Sequence, residues 1–228
     1  MRRGEPRCLN VGCGLSTGPS WVSVDSSASL RLSRLPLVGR VLAKVARLPN
    51  WPPSVLSGDI VKGHDVRPGS YDLVFASHVL EHLSEEDGYR ALTHIYGYLR
   101  PGGYFRCIVP DLETYARRYL AGLASGDRMV AGGASRAFMT QTGLGREQSR
   151  NSLVGRMREA WSNARHQWMW DRPALSAALD RVGFQNVEVR AFGEWADDRF
   201  GEVEDKARHE DSVCLEAQKP GADTHGLG

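Results

Sequence analysis

Two glycines one residue apart, Gly12 and Gly14, close the apolar run Leu9 to Val11, and a second apolar run, Trp21 to Val24, then ends on Asp25. Glycine at such a turn lets a ligand lie against the backbone, because a Cβ at either position would hold it away. A carboxylate at the tip of the neighbouring strand can accept two hydrogen bonds from a ribose diol. Further on, Val55 and Leu56 lead through Ser57-Gly58 to Asp59-Ile60, a short third strand ending in acid. In a nucleoside site this acid can take the adenine amino group while Ile60 covers the ring. Each of these residues also has a plainer use, since a Gly-x-Gly pair is often only a turn and Asp59 suits a helix cap.

The spacing constrains the elements that must hold these residues. A dinucleotide fingerprint puts its acid about 20 residues beyond the glycines, across a full helix. Asp25 follows Gly14 by only eleven. The first crossover is therefore a loop or a single turn, Pro19 agrees, and a nicotinamide-binding domain is disfavoured. Residues 37–48 carry Arg40, Lys44 and Arg47 among Leu and Val, which predicts a basic amphipathic helix closed by Trp51-Pro52-Pro53.

Y-D-L-V-F-A-S-H-V-L-E-H-L, Tyr71 to Leu83, is the second strong element. Its run Leu73 to Ala76 is of the kind buried on both faces of a parallel sheet. Ser77-His78 leaves that strand, and Val79 to Leu83 begins a turn of helix. Ser84 caps a longer helix with Glu85, Glu86 and Asp87 in its first turn, where the macrodipole favours acid. That helix stops at Arg100-Pro101-Gly102-Gly103, and a strand from Tyr104 to Val109 ends at Pro110-Asp111. A helix follows from Leu112 to about Leu123; periodicity is then lost through A-S-G-D-R and A-G-G-A-S-R, so residues 112–170 are expected to form a lid over an acceptor. Within it Trp161, Trp168 and Trp170 serve either as packing or as platforms for sugar rings. Asp171 caps a helix with Pro173 just inside it. Val187 to Phe192 and Val213 to Ala217 are the last strands, and the charged segment Gly193 to Asp211 between them is a loop.

The 228 residues suit one domain over 1–218 followed by a disordered tail over 219–228. A net charge of +2 gives no global field for nucleic acid. Four scattered cysteines without Cys-x-x-Cys spacing read as reduced thiols of a cytoplasmic protein, and neither a signal peptide nor a membrane span is expected.

Taken together, L-N-V-G-C-G, the strand-end Asp25, Gly58-Asp59-Ile60, Y-D-L-V-F-A-S-H-V-L-E-H-L and L-R-P-G-G-Y resemble a class I S-adenosylmethionine-dependent methyltransferase. The short first crossover and V-P-D-L-E-T-Y-A-R-R-Y are similar to small methyltransferases of polysaccharide biosynthesis, including sugar O-methyltransferases. The resemblance implies an α/β fold: a Rossmann-like seven-stranded, mostly parallel sheet with a C-terminal antiparallel hairpin and a helical lid insertion. It implies S-adenosyl-L-methionine as cofactor. Asn10, Gly12, Cys13 and Gly14 would lie under its methionine part, Asp25 on the ribose, Asp59 and Ile60 at the adenine, and Ser77 with His78 beside the sulfonium. Two departures stand out: Asn10 occupies a position where many members have an acid, and Ser16 one where a third glycine often occurs.

Methyl transfer from a sulfonium is an in-line displacement, so the protein has mainly to position the acceptor. A sugar hydroxyl must also lose its proton, and histidine is the economical base. His166 is the leading candidate, His78 the second, and Asp111 a base or orienting carboxylate. His78 and His82 are four apart and could share a helix face as metal ligands, but the third ligand is missing and His78 falls before the helix, so no metal is expected. The expected partners are a saccharide or small polar acceptor and a second copy of the chain, without nucleic acid or integral membrane contact. A non-catalytic S-adenosylmethionine-binding partner protein and a methyltransferase of another polar metabolite are the alternatives.

Overall fold

Apolar runs buried on both faces make the centre of the molecule a sheet. The computed structural model describes residues 7–36, 48–64, 67–145 and 165–221; the basic segment 37–47, Trp161 and the end of the tail lie outside them. β1 (Cys8–Val11), β2 (Trp21–Asp25), β3 (Leu56–Ser57), β4 (Tyr71–Ser77) and β5 (Leu99–Pro110) run parallel. β7 (Ser212–Gln218) lies antiparallel between β5 and β6 (Gln185–Val189), which gives the order β3-β2-β1-β4-β5-β7-β6. The seven-stranded, mostly parallel sheet with its C-terminal hairpin is as expected. The first crossover is a loop, and a short helix α1 (Ala28–Ser33) follows β2.

Alternation along the strands divides the core into two layers. Leu9, Val74, Phe105 and Leu215 face one side with Leu92, Ile95, Leu175 and Leu179. The helices there are α2 (Glu85–Tyr98), capped by Ser84, and a helix over Arg172–Val182, capped by Asp171 with Pro173 at its start and ended by the left-handed Gly183. Cys8, Leu73, Phe75 and Ile108 face the other side, where Trp21, Phe200 and Val203 cover them. The charged segment before β7 is thus a cover, with 3-10 turns at Asp198–Glu202 and Lys206–His209. It is held by Arg106, a fully buried side chain on β5. Its guanidinium donates to Glu204 (2.7 Å), Glu216 (3.2 Å) and the carbonyls of Ala191 and Glu194.

Four boundaries differ from expectation, each for a local reason. β3 stops at Ser57, so Asp59 and Ile60 fall beyond it; the Asp59 carboxylate accepts from Val61 N at 3.0 Å and bends the chain away. β5 begins at Leu99, which pairs with Tyr71; residues 100–103 bulge out before Tyr104 pairs with Leu73. β6 starts at Gln185 because Phe184 enters the core directly after the helix. Lastly, residues 128–141, within the stretch expected to be irregular, are helical. After α3 (Leu112–Leu123), α4 spans Arg128–Gln141 across A-G-G-A-S-R, capped by Asp127, and α5 is the helix over Arg172–Val182. α4 packs on α3 through Ala134 at Gly122 and Phe138 at Tyr119, and Ala134 is its one buried residue, so it has almost no apolar stripe to display.

Candidate active site

At the carboxyl edge of β1 and β2 the turn and the acid are one unit. Gly14 N donates to Asp25 Oδ2 at 2.9 Å and Ser27 N to Oδ1 at 2.7 Å. Each oxygen keeps acceptor capacity, so a diol can donate one further bond to each. Gly12 and Gly14 both have positive φ, but their missing side chains serve different ends. A Cβ on Gly14 would meet nothing within 4 Å, whereas one on Gly12 would lie 2.4 Å from Val79 Cγ2. The bare Gly12 position thus makes room for Val79, and the open side of the turn is at Gly14.

Other expected members of this edge sort themselves by burial. Asn10 is buried and its Nδ2 donates to Ser16 O at 3.2 Å, bracing the glycine loop. An acid there would have no proton for that carbonyl, which accounts for the departure at this position. The Cys13 side chain packs with Leu30 and Val55, and its Sγ donates to Gly14 O at 3.3 Å. Ile60 lies in the main core and its carbonyl is 2.7 Å from His94 Nδ1. Ser77 Oγ, at the end of β4, is buried without a hydrogen-bond partner among the described residues. An orphaned hydroxyl, an open glycine turn and a half-satisfied acid together fit an adenosine-bearing ligand along this edge.

Just beyond β4 a second group forms. His78 has φ +55, with Nε2 3.0 Å from Arg208 O and Nδ1 3.1 Å from Glu81 Oε1. Burial pulls its pKa down, but the Glu81 carboxylate and the Arg208 carbonyl outweigh that and raise it. The 3-10 turn Leu80–His82 carries Glu81 inward, fully buried, and His82 half outward. Residues 165–168 are clamped onto this turn: Gln167 N donates to Glu81 O at 2.7 Å and Gln167 Nε2 to His82 O. The clamp brings the His166 ring within 5.0 Å of the His82 ring. His166 Nδ1 lies 2.7 Å from Thr142 O and His82 Nδ1 3.1 Å from Arg165 O. A carbonyl only accepts, so Nδ1 carries the proton in both rings and Nε2 has the lone pair. Burial lowers the His166 pKa below its ordinary value of 6.5, which keeps that ring neutral.

The Asp111 carboxylate is engaged by the start of the next helix. It accepts from Glu113 N and Thr114 N at 3.2 Å and from Thr114 Oγ1 at 2.6 Å, as the N-cap of α3. Trp170 is buried against Tyr89, and Trp168 is 39% exposed. Glu81 is the site residue that sequence reading passed over, although V-L-E-H placed it directly beside His82.

A 3-2-1-4-5-7-6 sheet with antiparallel β7, a glycine turn after β1 and an acid at the end of β2 defines a class I methyltransferase domain. The family model described as Methyltransferase domain (Methyltransf_23) matches residues 3–189, and the chain belongs to that family. S-adenosyl-L-methionine is the cofactor this class and family assign. No curated protein matches the chain. Among solved structures it is similar to PigF with SAH, at 15% identity over 93% of this chain and 55% of that one, TM-score 0.47. Similar values hold for the CurJ carbon methyltransferase, at 13% identity over 94% and 48%, TM-score 0.45. A SAM-dependent methyltransferase from Archaeoglobus fulgidus matches at 14% identity over 95% of this chain and 87% of that one, TM-score 0.48. The chain spans about half the length of the first two. No helix among the described residues is long and apolar enough to cross a membrane.

Proposed function

We propose that the protein moves a methyl group from S-adenosyl-L-methionine to a hydroxyl of a sugar or related polar acceptor. In this reading the cofactor lies along Gly14, Asp25 and Ser77, and the acceptor's hydroxyl meets the Glu81–His82–His166 corner. S-Adenosyl-L-methionine supplies an electrophilic methyl on a sulfonium. The residues have the remaining work: Asp25 accepts from the ribose diol, Asn10 keeps the turn in shape, Asp59 takes the adenine amino group, and the exposed Trp168 offers a flat apolar face to the acceptor.

The observation that supports an oxygen acceptor is the pair of imidazoles with Nδ1 donated to carbonyls and Nε2 left with a lone pair beside a buried carboxylate. A hydroxyl must lose its proton as its oxygen attacks, whereas a neutral amine brings its own lone pair. An imidazole meets that need as a base; a cation held by imidazoles meets it by lowering the hydroxyl's pKa. His166 is required in either case.

The test is methyl transfer from labelled S-adenosyl-L-methionine to a saccharide pool. The wild type should label a hydroxyl, and His166→Ala should lose about 100-fold or more of that rate while still binding S-adenosylhomocysteine. Labelling of amines alone, or an undiminished rate in His166→Ala, overturns the reading.

A further inference from the structure

We propose that Glu81, His82 and His166 form a binding site for one divalent transition cation, of the kind two imidazoles and a carboxylate hold. Its use in activating the acceptor rests on the function proposed above; the binding itself does not. The three side chains each offer a ligand atom, all within 4.8 Å of one another. An ion about 2.0–2.2 Å from each of three ligands spaces them by roughly 3–4 Å, so a small closure seats it.

Three features point to a cation rather than to a packed polar corner. First, each histidine has its Nδ1 proton fixed on a backbone carbonyl, Arg165 O for His82 and Thr142 O for His166. This outer bond is the one that metal-binding imidazoles use to fix tautomer and ring direction. Second, Glu81 is 0% exposed, and neither of its carboxylate oxygens has a hydrogen-bond partner among the described residues. His78 Nδ1 lies 3.1 Å from Oε1, an ion pair only when that ring is protonated, and His82 Nε2 is 3.9 Å from the same oxygen. A buried carboxylate calls for strong compensation, and an ion between Oε1 and the two Nε2 atoms supplies it. Third, the site is open on one side. The His82 side chain is 22% exposed, and three protein ligands leave positions that a hydroxyl oxygen of an acceptor can fill.

A second group, Glu204, His209 and Cys214, is equally close-set but already satisfied. Glu204 Oε1 receives Arg106 Nε at 2.7 Å and His209 Nε2 lies 3.0 Å from it, Oε2 receives Trp195 Nε1, and burial pushes the Cys214 thiol up to about 12. It serves as an internal control.

The experiment is calorimetric titration of the metal-stripped full chain with MnCl2 and with ZnCl2, and of the same samples with S-adenosylhomocysteine. One equivalent of cation should bind the wild type and His209→Ala. Affinity should fall about 100-fold or more in His166→Ala and in Glu81→Gln, with S-adenosylhomocysteine binding retained in His166→Ala as proof of folding. Binding of S-adenosylhomocysteine without any cation overturns this site and leaves the methyltransferase reading standing. Cation binding that survives in His166→Ala, or is lost in His209→Ala, overturns it as well. Cation binding that follows the expected pattern without methyl transfer to any hydroxyl supports the site and sinks the acceptor reading instead.

Discussion

Gly12→Ala and Gly14→Ala separate two residues that look interchangeable in the sequence. Both glycines sit at positive φ, +60° and +55°, which costs an L-residue about 1–2 kcal/mol. At Gly12 the new methyl would also lie 2.4 Å from Val79 Cγ2, and a β-branched side chain has little rotamer freedom with which to withdraw. Overpacking of that kind adds about 1–3 kcal/mol, so Gly12→Ala should lose roughly 2–5 kcal/mol in all. Gly14→Ala meets nothing within 4 Å and should lose only the backbone part, about 1–2 kcal/mol. Urea unfolding of the two variants measures this difference directly. The double variant Gly12→Ala, Val79→Ala should recover the overpacking part relative to the effect of Val79→Ala alone. Affinity for S-adenosylhomocysteine should show the opposite order, because the Gly14 methyl projects into the open side of the turn. Equal destabilisation by the two single variants, or no recovery in the double, would refute the assignment of Gly12 to Val79.

Arg106→Met removes the guanidinium from between the buried carboxylates of Glu204 and Glu216 and removes donors from two carbonyls; removal of one partner from a buried ion pair costs about 3–5 kcal/mol, and a loss under 1 kcal/mol in urea unfolding would contradict that. All four cysteines are buried and free, with burial raising Cys8 to about 11 and Cys13 to about 12. A thiol-specific disulfide reagent at pH 8 should therefore label none of them in the native protein and all four in denaturant. Asp197 and Asp211 are held below the ordinary value of 3.8 by Arg199 and Arg118. Folded values lower than unfolded ones mean that this stabilisation is fully present above 3.8 and is lost as pH falls through the lowered values. The acid limb of stability against pH should accordingly be shallower in Arg199→Met, and an unchanged limb would count against the pairing.

Features fixed within a few residues were legible in the sequence. The β4 run and the caps at Ser84 and Asp171 act locally, and all lie where the residues suggest. What escaped depends on distant partners. That Gly12 must also make room for Val79 shows only once the chain is folded. Asp111 reads as a base or orienting carboxylate at a strand mouth, and its capping of the first turn of α3 shows only in the fold. Arg106 reads as an ordinary base in a strand, and only the return of the chain through Glu204 and β7 makes it buried. The meeting of His166 with Glu81 and His82 depends on Gln167, whose two bonds to the 3-10 turn have no periodic signature. α4 went unseen because a helix that buries one alanine shows no stripe.

The central claim is that the open glycine turn at Gly14, with Asp25 beneath it, holds the adenosine of a methyl donor. Its most direct test is calorimetric titration of the full chain and of Asp25→Ala with S-adenosylhomocysteine and, separately, with NAD. The account predicts saturable binding of S-adenosylhomocysteine by the wild type, weakened at least tenfold in Asp25→Ala as hydrogen bonds to a charged group worth about 1.5–3 kcal/mol each are lost, and no binding of NAD. Tight NAD binding without S-adenosylhomocysteine binding, or an undiminished affinity in Asp25→Ala, would contradict it.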